Sequence, residues 1–177
     1  MFEIGSHLTK QRLVFGCGNP LFGDDGFGAQ VIEYLLSNYT LPKDTACLDV
    51  GTAIRDMLFD ILLSPQKPGQ IIIVDAMDLK GGVPGRIYEI DVDQIQPEKI
   101  CDFSLHQFPT TNMLKEMQEG TSIDVRILVV QTEVLPEEVH VGLSPAVAAA
   151  VPEMCKRITM MIDGYPSFQP IKDGAIG

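Results

Sequence analysis

The residues with the most chemical potential are carboxylates placed where apolar runs end. Asp24 and Asp25 follow a glycine-rich turn after Leu13-Val14-Phe15, in the stretch LVFGCGNPLFGDDGFG. Asp75 closes the run IIIVD, and Asp49 stands near the end of TACLDV. Two carboxylates brought face to face repel, and one pKa rises unless a proton or a cation sits between them. That makes a metal plausible, and a nitrogen ligand would complete it. The sequence has three histidines. His7 lies in a lead-in without clear period and His140 in the polar stretch EEVHVG, so both are expected to be solvated. His106, in FSLHQFPTTN just before an expected helix, is the best candidate. A set of Asp25, Asp75 and His106 could hold nickel, zinc, manganese or iron, and ligand type alone does not choose among them. Three protein ligands would leave positions open for something brought by a partner.

Each of these residues also has an ordinary structural use. Asp24 or Asp25 can cap the helix that starts near Gly26. Asp75 can cap a turn, and Asp49 can cap the helix after Gly51-Thr52 about as readily as it can contact a substrate. Cys17 could be a nucleophile, but small buried cysteines beside a strand more commonly fill space. Gly16 and Gly18 begin a dinucleotide fingerprint whose third position is Leu21, and the acids that follow would repel a pyrophosphate. The chain has no G-x-x-x-x-G-K-[ST], no G-x-S-x-G and no H-E-x-x-H.

These residues need elements to position them. Phe27, Val31, Tyr34 and Leu35 give a helix with an apolar face, ending near Tyr39. A strand over 45–50, a helix over 53–63 and a strand over 71–75 come next. The continuous β-branched run there implies burial on both faces, as in a parallel sheet between helices. The link from Asp75 to the alternating stretch 86–92 is too short for a helical crossover, so that strand is expected to run antiparallel, as a hairpin on an edge. A helix over 110–119, capped by Thr110 or Thr111, a strand over 124–131 and a helix from Ser144-Pro145 to about Ile162 complete the order. Pro152 should kink or divide that last helix. The expected fold is a doubly wound α/β structure, a mostly parallel five-stranded sheet with an antiparallel edge strand and helices on both faces. Right-handed crossovers in the order 2-1-3 set the first and third strands side by side, and the ligand crevice opens there, beyond their carboxyl ends. Asp25 and Asp75 meet at that crevice, with Asp49 nearby.

Bulk properties narrow the partners. The 177 residues imply one domain, with residues 1–10 as a lead-in and 165–177 as a tail. A net charge of −11 argues against nucleic acid and anionic membranes. No apolar run is long enough to span a bilayer. The four scattered cysteines, without a C-x-x-C pair, fit reduced thiols in a cytoplasmic protein.

Taken in order, the motifs resemble those of a known family. They are Gly16-Cys17-Gly18-Asn19, Asp24-Asp25-Gly26-x-Gly28, Asp49-x-Gly51-Thr52, Ile73-Val74-Asp75-Ala76, Ser104-Leu105-His106 and Gly142-Leu143-Ser144-Pro145. The series is similar to that of the hydrogenase maturation endopeptidases. The resemblance implies an aspartic-type endopeptidase that removes the C-terminal extension of a nickel-loaded [NiFe]-hydrogenase large-subunit precursor. It carries metal recognition onto Asp25, Asp75 and His106, with nickel supplied by the precursor. Many relatives have Glu where this chain has Asp25, and the shorter arm draws that ligand inward. The segments GCGN, DVGTAIRD and HQFPTTN resemble the branch serving the methanogen hydrogenases that reduce a deazaflavin coenzyme. Two alternatives remain: a non-catalytic, metal-dependent checkpoint binding the same precursor, and a small-molecule-binding α/β domain.

Overall fold

The apolar runs become the strands of one sheet. The computed structural model describes residues 7–92 and 111–163. β1 (Arg12–Cys17) leads through a 3-10 turn, Gly23–Gly26, into α1 (Phe27–Asn38). Then come β2 (Thr45–Gly51), α2 (Ile54–Leu63), β3 (Gln70–Met77), β4 (Ile87–Ile90), α3 (Thr111–Gly120), β5 (Asp124–Gln131) and α4 (Pro145–Ile162). The strand order is β2-β1-β3-β5-β4, with β4 antiparallel to β5 and the other pairs parallel. This is the expected doubly wound sheet, and its order reverses between β1 and β3.

Side chains alternate across the sheet, as the two-residue strand period requires. Val14, Ile72, Val74, Leu128 and Val130 pack under α1 and α4. Leu13, Phe15, Ile71, Ile73, Ile127 and Val129 pack under α2 and α3. Central strands are therefore apolar on both faces, which explains the unbroken run IIIV.

Three local expectations are corrected and a fourth, at Pro152, is narrowed. Asp75 does not end its strand, because β5 pairs with β3 as far as Met77 opposite Gln131. β4 is antiparallel and at the edge, but it forms no hairpin with β3, since β5 lies between them. Neither Asp24 nor Asp25 caps α1, whose N-cap is Gly26 with no side-chain bond. Pro152 does not divide α4. It stands on the exposed side of that helix, as does Ala148, whose carbonyl loses the Pro152 N–H as partner, so water can serve it. The expected cap at Thr110 and the tail from Tyr165 lie outside the described residues.

Candidate active site

Glycines bring the end of β1 against the start of α1. A Cβ on Gly28 would collide with the backbone N and O of Cys17, and one on Gly16 would meet the Gly28 carbonyl. Only bare backbone allows this crossing, so the turn between them is drawn down onto the sheet. Gly18 has φ +110° and its N–H donates to the Gly51 carbonyl at 3.0 Å, which ties the turn to the end of β2.

β1 pairs with β3 only as far as Gly16 opposite Val74. Asp75 is therefore the first residue of β3 beyond its pairing with β1. It shares a face with Ile73 and Met77 and is 1% exposed. Its Oδ1 accepts the N–H of Ala76 at 2.8 Å. Burial, opposed in part by that bond and reinforced by the negative charge of Asp25, pushes its pKa up to about 7. Asp25, 8% exposed, accepts the Asn19 N–H on Oδ2 at 2.7 Å. Burial raises its pKa too, and the Asn19 bond offsets part of the rise. The topology thus brings Asp25 and Asp75 to one corner, close enough for their charges to interact.

Cys17 reports on the same corner. Burial raises its pKa well above the ordinary thiol value, and the charges of Asp75, Asp49 and Asp25 add to that. Thiolate is disfavoured there, so Cys17 serves packing and not nucleophilic attack. Asp49 is exposed at the end of β2 and its Oδ1 accepts the Gly51 N–H at 3.1 Å. It closes the turn and does not cap α2, whose N-cap is Ala53. His7 and His140 are exposed, as expected. His106 lies outside the described residues, and among those described no three His, Cys, Asp or Glu side chains gather as a metal cage.

Sequence reasoning missed the role of Asp24. This carboxylate is 1% exposed and bonded to the segment between β5 and α4. Its Oδ2 accepts the N–H groups of Glu133 (2.9 Å) and Val134 (3.2 Å) and the Ser144 hydroxyl (2.9 Å). Its Oδ1 accepts the Ser144 N–H at 2.7 Å. Most of these donors are backbone groups, which no residue pattern announces. Ser144 in GLSP is the one side-chain partner that could have drawn notice.

Fold and site together define a doubly wound α/β protein with two buried acids at its switch point. The chain belongs to the hydrogenase maturation protease family, whose profile matches residues 29–161. It is therefore a hydrolase of peptide bonds. The matched stretch holds Asp49, Asp75 and His106 and begins after Asp25. A candidate hydrogenase maturation protease of Methanocaldococcus jannaschii is 36% identical, over 80% of this chain and 90% of that protein. The coenzyme F420 hydrogenase subunit delta of Methanothermobacter thermautotrophicus is 32% identical, over 85% of this chain and 92% of that one. The structure of the hydrogenase maturating endopeptidase HybD from Escherichia coli superposes with a TM-score of 0.65 at 28% identity, covering 87% and 94% of the two chains. Among the described residues, no helix is long and apolar enough to cross a membrane.

Proposed function

We propose that this protein cuts the C-terminal extension from a nickel-loaded large-subunit precursor of a [NiFe] hydrogenase. Nickel belongs to the substrate and is recognised by Asp25, Asp75 and His106. The observation that carries this reading is the pair Asp25 and Asp75. Two buried carboxylates at one corner, each given a single backbone donor among the described residues, keep acceptor capacity unused. A cation brought to that corner relieves both the repulsion and the burial penalty. Because the metal arrives with the precursor, only loaded precursor is cut, and the reaction doubles as proofreading. Asp49, exposed at the crevice margin, contacts the substrate. We place the reaction in the cytoplasm, with a hydrogenase of the deazaflavin-reducing kind as the partner.

Nickel-loaded precursor mixed with the protein should lose the mass of its C-terminal peptide. Metal-free precursor should stay whole. Tight stoichiometric nickel binding by the isolated protein would contradict a substrate-borne metal, as would cleavage of metal-free precursor. A second reading finds support in the relative named as a hydrogenase subunit. In it the protein binds the same precursor and remains attached. Co-purification with the large subunit, with no change in its mass, would favour that reading.

A further inference from the structure

An exposed apolar segment, residues 132–144 between β5 and α4, is anchored to the turn that carries Asp25. Val134, Leu135, Val139 and Val141 of this segment are exposed, and so is Leu21, on the stretch it pairs with. Val139 and Val141 are 66% and 70% exposed. Single exposed apolar residues are ordinary, whereas a cluster marks an interaction surface.

This segment is anchored. Asp24 binds both of its ends, at Glu133-Val134 and at Ser144. Its middle pairs with the stretch before the 3-10 turn: Gly23 N–H donates to the His140 carbonyl at 2.7 Å, and His140 N–H donates to the Leu21 carbonyl at 2.8 Å. In extended chain, neighbouring residues turn their backbone groups to opposite edges. With His140 bonded inward, the N–H and C=O groups of Val139 and Val141 face outward, and none of them pairs with a described residue. That is a short open edge. A cavity of ≈ 350 Å³ opens between the segment and the turn, with Glu133, Val134, Pro136, His140 and Leu143 in its wall. Glu137 and Glu138 are exposed on the same segment, and no Lys or Arg occurs anywhere from Ile127 to Cys155.

We propose that this face docks an extended segment of the precursor as an added strand, pairing with Val139 and Val141 and placing a lysine or arginine in the cavity beside Glu133. The proposal rests on the reading that the protein acts on such a precursor. Main-chain bonds at an open edge supply affinity and side-chain pockets supply selectivity. A long basic side chain suits this cavity, since its aliphatic stem packs on Val134, Pro136 and Leu143 while its charge meets Glu133. Asp24 joins the face to the turn that carries Asp25, so docking sets the reach from the bound segment to the crevice.

The test uses the full chain and the nickel-loaded precursor encoded in the same genome. Binding is followed on immobilised precursor, and cleavage by mass spectrometry. The double variant Val139→Asp, Val141→Asp should weaken binding and raise KM by about tenfold or more, with kcat held within about twofold. Glu133→Gln should raise KM about threefold, and equally so when thermal unfolding shows the fold unchanged. Unaltered binding and KM in both variants would overturn the docking face and leave the protease reading standing. Wild-type binding that the double variant abolishes, without any cleavage, would support the face and remove the protease reading. Wild-type protein that neither binds nor cuts the loaded precursor would overturn both.

Discussion

Asp24 accepts bonds from three backbone N–H groups and the Ser144 hydroxyl, while Asp75, equally buried at 1% exposure, accepts one from Ala76 among the described residues. Asp25, chemically identical to its neighbour Asp24, falls with Asp75, with one bond from Asn19. Burial alone therefore does not mark a working carboxylate. The donors around it do. Asp24 is saturated and welds the turn to the segment before α4. Asp75 is left short, its pKa pushed up to about 7, next to a second acid in the same condition. Under-supplied acids at a sheet's switch point are held in a costly state that a cation or a proton relieves.

The sharpest way to break this contrast is Asp75→Asn. Cleavage of nickel-loaded precursor should fall by about 10³ or more, as when a group at the reacting centre is removed. The same change should stabilise the isolated protein at pH 8. The folded pKa of about 7 exceeds the ordinary carboxylate value of 3.8, so between those values the folded state holds a proton that the unfolded state has released. Stability contributed by this group is full below about pH 4, is lost as pH rises toward about 7, and then levels off. The asparagine amide cannot titrate, so urea unfolding should show a gain of about 2–4 kcal/mol at pH 8 and none at pH 4. Equal gains at both pH values would remove the electrostatic account.

Asp24→Ala should do the opposite. It deprives three backbone donors of their acceptor and frees the segment they anchor. A loss of about 2–4 kcal/mol is expected in chemical denaturation. A variant as stable as the parent would show that the anchor carries no weight.

Gly28→Ala sharpens the contrast from the side of the backbone. Its methyl group would strike the Cys17 backbone, and the turn carrying both acids would have to shift. A loss of about 1–3 kcal/mol in thermal unfolding should come with reduced cleavage, because Asp24 and Asp25 ride on one turn. Lost stability with cleavage intact would mean that the turn tolerates displacement.

Much of this frame was legible in the sequence because it follows from local pattern. The run IIIVD reads as a central strand, and the glycines of GCGN read as a turn after the first strand. The order 2-1-3 then followed from chain connectivity and brought Asp25 to Asp75. What stayed hidden depends on distant partners. The stretch EEVHVG looks like solvated chain, and its pairing with Leu21 and Gly23 uses backbone groups that every residue has. For the same reason nothing local told Asp24 from Asp25, since the donors that saturate Asp24 lie more than a hundred positions away. β4 showed its antiparallel sense through the short connection before it. Its true neighbour, β5, comes later in the chain and left no local trace.

The smallest effect is expected at Asp49, which fits neither half of the contrast. It is exposed, and its bond to the Gly51 N–H closes a turn that glycine already accommodates at φ +54°. An asparagine oxygen can accept the same bond, so Asp49→Asn should leave stability within about 0.5 kcal/mol. A substrate contact at the crevice margin predicts a KM increase of about three- to tenfold for loaded precursor, with kcat nearly unchanged. Equal KM values for the two proteins would confine Asp49 to its turn. A fall in kcat instead would place it with Asp25 and Asp75, where its charge already reaches Cys17 alongside theirs.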